Sequence, residues 1–193
     1  QDRMINGALK VFALNGYQKA STDDIVKEAE ISKGLLFHYF GSKAGLYIFV
    51  YEYSARYMAM ELQRAISLRE RDLFLLFVQI EDAKNVLLRN YPYMQKFLLS
   101  SRELPDDAVM EEIKDYTGLV ETAMNEALER ADHDRILPDV DVELLVRSMH
   151  YVTRGLMETG LTEKLDSEFV HNEAVNFCMM MREKFTKPEY LEE

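Results

Sequence analysis

Three helix-capping positions divide residues 21–43, STDDIVKEAEISKGLLFHYFGSK, into two short helices and the start of a third. Ser21 or Thr22 can accept a hydrogen bond from the first turn of the first helix, and Ser32 and Ser42 can do the same for the next two. The segment between the first two helices has room only for a turn of about three residues. The stretch therefore predicts a helix-turn-helix, an arrangement whose second helix can lie in a DNA major groove.

The second of these helices, from Ser32 to about Phe40, has an unusual outer surface. Leu36 and Phe40 are four residues apart and are expected to face the core. The remaining positions face outward or toward the rim; they are Lys33, Gly34, Leu35, Phe37, His38 and Tyr39. So many apolar and aromatic side chains on the outside of one short helix indicate a surface that a partner covers.

Lys33 and Lys43 each follow a capping serine and so lie at the positive end of a helix. A cation at that end is unfavourable by roughly 0.3–1 kcal/mol. An anion that binds there, such as a phosphate held by free backbone N–H groups, would offset this cost. Two such lysines could straddle a DNA backbone; the alternative, that both are solvated surface lysines, stays open.

The run ISKGLLFHYFGSKAGLY at residues 31–47 resembles the signature of the tetracycline-repressor (TetR/AcrR) family of bacterial transcription regulators. The resemblance covers about residues 4–50, and its upstream positions are Ala8, Phe12, Gly16, Tyr17, Thr22, Ile25 and Ala29. It implies an all-α fold with a three-helix helix-turn-helix DNA-binding domain at residues 1–45. A C-terminal helical bundle for ligand binding and dimerisation would occupy residues 46–193.

Carried over residue by residue, the resemblance implies phosphate contacts from Thr22, Tyr39 and Lys43. It places Lys33, Gly34, Phe37 and His38 at base edges or the nearby backbone. The complete predicted DNA-binding set is Thr22, Ser32, Lys33, Gly34, Leu35, Phe37, His38, Tyr39 and Lys43.

Three positions depart from the family pattern. Glu30 stands where glycine is usual in the turn, and a left-handed conformation costs a non-glycine residue on the order of 1–2 kcal/mol. Leu35 stands where a small hydroxyl residue is common, and Phe37 replaces a frequent tyrosine. Because both changes remove hydrogen-bonding groups, we expect base readout to depend on apolar contacts, for instance with thymine methyl groups.

The net charge of −11 argues against nucleic acid until it is divided along the chain. Residues 1–47 carry six Lys or Arg and five Asp or Glu, a net charge of +1, so the remaining residues carry −12. This asymmetry suits a protein that contacts DNA at one end only. The longest apolar run, Leu73–Val78, is far too short to span a membrane. No signal peptide is evident, and the lone Cys178 favours a reducing, cytoplasmic location.

The rest of the chain is expected to be helical. A first helix covers residues 2–16, with Gly16 as its stop signal. The later helices are predicted at residues 42–67, 71–90, 92–103, 107–131, 141–161 and 166–185, with a frayed tail after Phe185.

The last two predicted helices carry more apolar surface than a monomer needs, and the resemblance implies that they pair with a second copy across a two-fold axis. The predicted interface residues are Met149, Val152, Leu156, Phe177, Met180 and Met181. A small, largely apolar or aromatic effector is expected to contact Phe97, Tyr116, Met124 and Tyr151, whose alternative role is simply to pack the core.

An enzymatic function has little support in the sequence. A single Glu-x-x-His pair, Glu168 and His171, lacks the second copy that a di-iron helical bundle requires. We therefore expect no metal, no cofactor and no catalysis, and the helical-bundle metalloenzyme is kept as a remote alternative. The sequence predicts a homodimeric repressor that leaves a pseudo-palindromic DNA operator when the effector binds. An activator, or a regulator without ligand control, is the nearer alternative.

Overall fold

The computed structural model describes residues 2–100 and 106–192, and within them the chain is helical with no β-strand. The helices are α1 (Asp2–Lys19), α2 (Thr22–Ala29), α3 (Lys33–Phe40), α4 (Lys43–Ala65), α5 (Leu73–Asn90), α6 (Met94–Ser100), α7 (Asp107–Ile113), α8 (Leu119–Leu128), α9 (Val142–Glu163) and α10 (Ser167–Phe185). The all-α prediction is confirmed. The predicted end of the sixth helix at residue 103 lies outside the described residues. None of the helices described is long and apolar enough to cross a membrane.

The helices belong to two compact units. The first contains Gln1–Met60 and Leu87–Glu121, and the second contains Glu61–Val86 and Thr122–Glu193. The chain passes from one unit to the other within α4, α5 and α8. The predicted domain boundary after residue 45 falls inside the first unit. The division into a DNA-binding domain and a ligand-binding domain stays a prediction.

All three serine caps predicted from the sequence form in the first unit. Each serine Oγ accepts a hydrogen bond from the backbone N–H three residues further on, which satisfies a donor that the helix itself leaves unpaired. The pairs are Ser21 with Asp24 (3.0 Å), Ser32 with Leu35 (3.2 Å) and Ser42 with Gly45 (3.0 Å). The start of each helix in the helix-turn-helix region is thus fixed by a local side-chain contact.

An aromatic cluster joins α1, α4 and α6 in the first unit. The ring of Tyr47 lies 5.0 Å from those of both Phe12 and Phe97, and all three side chains are buried. On α3, Leu36 is buried, as its spacing predicts. Phe40 is half-buried, and the centroid of its ring lies 5.1 Å from that of Phe49. The three helices of the N-terminal region are therefore packed on a shared apolar core.

The C-terminal tail is anchored in the second unit, so the predicted fraying after Phe185 is wrong. The buried Arg182 donates from Nε to Asp72 Oδ2 at 2.7 Å and from its terminal nitrogens to the carbonyls of Tyr190 and Leu191. Asp72 in turn caps α5 through the N–H of Phe74. A buried ion pair of this kind holds only when its remaining polar atoms are also satisfied, and here the tail satisfies them.

The predicted single helix at residues 107–131 is also wrong. The chain forms α7, a short 3₁₀ turn at Lys114–Tyr116, and then α8. Thr117 is extended and Gly118 has a φ of 85°. A left-handed glycine ends a helix at little steric cost. Gly118 therefore interrupts the helix even though the apolar spacing on both sides of it is helical.

Glu30 occupies the left-handed conformation that the sequence predicts for the turn between α2 and α3. Its φ is 54° and its ψ is 44°. The next N–H, of Ile31, donates to the carbonyl of Val26 at 3.0 Å, which is the hydrogen bond of a Schellman-type helix end. This position usually favours glycine, so Glu30 stores backbone strain within the helix-turn-helix region.

We expect Glu30→Gly to stabilise the protein by about 1 kcal/mol, since glycine adopts this conformation without strain. The Arg3–Glu30 ion pair that is lost joins two side chains about three-quarters exposed, so it contributes little. The midpoint of thermal unfolding should rise by about 2–4 °C, measured by circular dichroism.

Lys164→Gly provides a matched control, because Lys164 is the other non-glycine residue with positive φ among those described, at 56°. It should give a gain of similar size. A lower unfolding midpoint for Glu30→Gly would contradict the assignment of strain to this turn.

Candidate nucleic-acid interface

The outer face of α3 is exposed and rich in apolar and aromatic groups. Leu35 is 41% exposed, Phe37 40% and Tyr39 66%, and the exposed His38 ring lies 5.3 Å from that of Tyr39. The face contains the cluster of side chains that the sequence predicts to meet a partner. A large apolar area on so short a helix is typical of an interaction surface.

Gly34 has no structural reason of its own to be glycine. A Cβ built at this position meets no atom within 4 Å, and the residue has no positive φ. Glycine in a helix costs about 1 kcal/mol relative to alanine. A glycine that neither packing nor backbone conformation requires is consistent with close approach of a partner to this turn of α3.

Lys33, at the first position of α3, is held by an acidic residue of α2. Its Nζ lies 2.7 Å from the Asp23 carboxylate, and both side chains are at least half exposed. Two further basic residues of the region pair with α2 or its C-cap, Lys10 with Glu28 and Arg3 with Glu30. The near-neutral charge of residues 1–47 therefore reflects local pairing of opposite charges.

Thr22 and Ser32 flank the turns of the helix-turn-helix region. Thr22 begins α2 and is half-buried, while the exposed Ser32 uses its Oγ as the cap of α3. A hydroxyl group that accepts a backbone N–H can still donate its own hydrogen. The DNA contacts predicted for these two residues stay predictions.

Lys43 has a different environment from Lys33. Its Nζ donates to the backbone carbonyl of Tyr17 at 2.8 Å. The same Nζ is also within hydrogen-bond range of two further carbonyls of this segment. The predicted phosphate contact of Lys43 is not tested, but the ammonium is already engaged by the chain itself. Sequence reasoning missed both Tyr17 as its neighbour and Asp23 as the partner of Lys33, because neither contact has a fixed spacing in the sequence.

A second feature of the first unit is a groove of about 370 Å³ along one face of α4. Its walls are formed by Phe49, Glu52, Tyr53, Arg56, Tyr57 and Met60. The rings of Tyr53 and Tyr57 are nearly parallel, 11° apart with centroids separated by 5.7 Å. Arg56 pairs with Glu52 at 3.1 Å and lies 5.1 Å above the ring of Tyr116.

Tyr91 fixes one side of this aromatic face. Its hydroxyl lies 2.9 Å from that of Tyr53, and its ring meets those of Tyr53 and Tyr57 edge-on. Burial, followed by the hydrogen bond with Tyr53, raises the pKa of Tyr91. Tyr91 therefore stays uncharged at neutral pH, and its edge-on contacts hold the stacked rings of Tyr53 and Tyr57 in place.

The four residues predicted to contact an effector have different environments. Phe97 is fully buried in the aromatic cluster, and Tyr116 lies under Arg56 at the groove. In the second unit, Met124 is buried, whereas Tyr151 is 68% exposed on α9. The groove residues on α4 were missed by sequence reasoning, although their spacing of three and four is visible in the sequence.

The helices α9 and α10 pack closely and leave apolar side chains exposed. A Cβ at Gly160 would lie 2.5 Å from the Val170 side chain, so a glycine is required where the two helices meet. The large exposed apolar residues of the pair are Leu144, Tyr151, Val152, Phe169, Met179 and Met180. Of the predicted interface residues, Met149 is fully buried in its own unit and therefore offers no surface to a second copy.

No group of three or more His, Cys, Asp or Glu side chains that could hold a metal ion occurs in the described part of the chain. His171 lies 3.1 Å from Asp82 on α5 rather than forming a Glu-x-x-His ligand set. Cys178 is buried, and burial raises its pKa to about 12, so the thiol is protonated and unreactive at neutral pH.

Comparison with known proteins agrees with this geometry. Residues 4–48 match the family described as bacterial regulatory proteins, tetR family. A curated relative, the uncharacterized HTH-type transcriptional regulator YuxN of Bacillus subtilis (strain 168), is 44% identical over 50 residues. The match covers 26% of this chain and 17% of that protein, so it spans only a small part of the relative's length.

Solved structures extend the likeness to the fold of the whole chain. The TetR family transcriptional regulator PfmR from Thermus thermophilus has a TM-score of 0.64 at 19% identity, covering 92% of this chain and 96% of that one. The transcriptional regulator FadR from Bacillus subtilis, solved in complex with stearoyl-CoA, has a TM-score of 0.60 at 17% identity, covering 91% and 96%. Residues 4–48 of the chain therefore match the helix-turn-helix region of the tetR family, and the chain has a fold similar to that of these solved regulators.

Proposed function

We propose that this protein is a transcription regulator that binds double-stranded DNA through α3 and is released from its operator by a small effector. The observation that carries the proposal is the exposed face of α3. It combines apolar and aromatic side chains, an unconstrained Gly34 and the cation of Lys33 on a helix-turn-helix that matches the tetR family.

The proposed contacts are of two kinds: contacts to the DNA backbone position the protein, and contacts to base edges read the DNA sequence. The ammonium of Lys33 exchanges Asp23 for a phosphate, while Thr22, Ser32 and Tyr39 donate hydroxyl hydrogens to the backbone. Gly34 allows close approach, and Leu35, Phe37 and His38 meet base edges. Because leucine and phenylalanine offer no hydrogen bonds, thymine methyl groups are the base features that suit this face best.

DNA binding should depend on Lys33 through its charge. We expect Lys33→Ala to weaken binding to any duplex and to lower the slope of log affinity against log salt by about 1, as one phosphate contact is lost. Fluorescence anisotropy with labelled DNA from upstream of the protein's own gene, over a range of salt concentrations, measures both quantities.

The matched control is Lys184→Ala, which makes the same charge change at an exposed site on α10. It should leave the salt slope unchanged. If the wild-type protein does not prefer the upstream DNA to a scrambled duplex, selection of bound fragments from the whole genome decides between an operator elsewhere and a helix-turn-helix that does not bind DNA. An empty selection would contradict the proposal.

We also propose that two copies pair through the exposed apolar faces of α9 and α10. Isologous pairing of one such patch with itself is the commonest form of oligomer. The proposed contact residues are Val152, Leu156, Phe177, Met180 and Met181, which retain exposed surface on these helices. Two helix-turn-helix regions in one dimer would read a pseudo-palindromic site.

Met180→Asp should break this dimer, because it places a charge in an apolar interface. Sedimentation equilibrium of the wild type should give twice the chain mass of 22.6 kDa, and the variant should give a mass near that of one chain. Leu68→Asp, at a 73% exposed apolar residue outside α9 and α10, serves as the control and should remain dimeric. A wild-type monomer at micromolar concentration would rule out the pairing.

The groove on α4 is the proposed effector site. Its volume is near the lower end of the 300–1,000 Å³ typical of small-molecule pockets. Stacked tyrosine rings favour a flat aromatic ligand, and Arg56 can pair with an acidic group on it by exchanging Glu52. FadR from Bacillus subtilis, which was solved with stearoyl-CoA, suggests a long-chain acyl thioester as the comparison ligand.

A flat aromatic acid, with 2-naphthoate as the first probe, should raise the dissociation constant of the protein–DNA complex. Binding of DNA and of effector must weaken each other by the same factor. Tyr57→Ala should abolish the response by removing one stacking ring, and Arg56→Leu should abolish the preference for the acid over its uncharged alcohol. The anisotropy assay measures the response of the wild type and of both variants. A response to stearoyl-CoA but not to aromatic acids would reassign the effector class.

The sign of regulation is proposed to be repression, since an effector that releases DNA restores transcription from the operator. A reporter gene placed behind the bound DNA should be expressed more strongly when the effector is present or the protein is absent. Lower expression on deletion of the protein would instead indicate an activator.

A further inference from the structure

Lys43 occupies an unusual position for a residue at the start of a helix. It is the first residue of α4, and its Nζ donates to the carbonyls of Tyr17 at 2.8 Å, Ala20 at 3.2 Å and Gln18 at 3.4 Å. The same ammonium lies 4.6 Å from the centroid of the Tyr17 ring. An ammonium has three hydrogens to donate, and three acceptors surround this one.

The electrostatics of this contact are favourable. Gly16 has a φ of 72° and a ψ of 164°, which breaks α1, so the residues after it form a short final turn. Carbonyl oxygens at a helix C-terminus carry negative partial charge and attract cations. The positive charge of Lys43 is therefore unfavourable at the positive end of α4, and the carbonyls at the negative end of α1 compensate for this cost.

The segment that receives this contact leads directly into the helix-turn-helix. Ala20 is buried, and Ser21, the next residue, caps α2. Tyr17 is fixed from its other side, where its ring lies 5.0 Å from that of Tyr47, and burial followed by the charge of Asp106 raises its pKa. Lys43 therefore links the first turn of α4 to the residues that set where α2 begins.

We infer that Lys43 is a positioning residue for DNA recognition: it acts through the carbonyls of residues 17–20 to fix the helix-turn-helix against α4, and it does not neutralise a phosphate. The inference rests on the proposed DNA-binding function. It differs from the phosphate contact expected from the family resemblance, since that contact would require the ammonium to give up carbonyl partners inside its own chain.

The two roles differ in their dependence on salt. Loss of a phosphate contact weakens binding to all duplexes and lowers the salt slope by about 0.9. Loss of a positioning contact lowers affinity for the specific site, while affinity for unrelated duplex and the salt slope stay at their wild-type values. Lys33 provides the internal reference, because its ammonium is paired only with an exposed carboxylate among the contacts described.

The experiment compares the wild type with Lys43→Met, Lys43→Gln and Lys33→Met. Anisotropy titrations use the duplex selected by the wild-type protein and a scrambled duplex, each over a range of salt concentrations. We expect Lys43→Met to lose about tenfold in specific affinity with an unchanged slope, and Lys33→Met to lower the slope by about 1. Lys43→Gln, which keeps one amide donor, should retain more specific affinity and also keep the slope.

A lower slope for either Lys43 variant would overturn the inference in favour of a phosphate contact. An unchanged specific affinity with only a lower unfolding midpoint would reduce Lys43 to a role in stability. Hydrogen exchange of the Asp24 and Ile25 amides, measured without DNA, tests the same contact independently and should be faster in Lys43→Gln. If the wild-type protein selects no duplex, the proposed DNA-binding function is wrong. If hydrogen exchange of these amides is unchanged in Lys43→Gln, the positioning role of Lys43 is wrong, whatever the outcome for DNA binding.

Discussion

The packing of Phe97 against Phe12 and Tyr47 is the contact on which the N-terminal unit depends. These rings come from α6, α1 and α4, and the ring of Tyr51 on α4 adds a third contact, 6.0 Å from that of Phe97. Aromatic pairs of this kind contribute about 0.5–1.5 kcal/mol each beyond the area they bury. A segment far along the chain thereby completes the core of the helix-turn-helix region, so residues 4–48 are not a separate packing unit even though they form a separate sequence motif.

The local features of the helix-turn-helix could be predicted because each depends on neighbouring residues. Ser21, Ser32 and Ser42 cap helices through contacts three residues away, and the left-handed Glu30 closes the C-terminal end of α2 through hydrogen bonds within the same turn. The burial of Leu36 and the exposed face of α3 follow from helical spacing alone. A large part of the candidate interface is therefore encoded within about twenty residues.

What the sequence did not reveal depends on residues that are distant in the chain or on a single backbone conformation. Gly118 interrupts a helical pattern that extends on both sides of it, and glycine alone does not specify whether it breaks a helix. The anchored tail requires Arg182 to meet Asp72, a separation of 110 residues. Met149 lies on the same helix as the exposed Tyr151 and Val152, and the packing of the second unit buries it. No spacing rule could have placed Lys43 over Tyr17.

The ion pair between Lys33 and Asp23 means that the free protein already supplies its own anion at the site proposed for DNA. In the proposed complex, a phosphate oxygen would replace the Asp23 carboxylate at Lys33 rather than fill an empty cationic site. In the proposed complex, long-range attraction to duplexes would be correspondingly weak, and the acidic remainder of the chain would weaken it further. Such a protein would spend little time on unrelated DNA, so its search for an operator would rely more on free diffusion through solution than on sliding along the duplex.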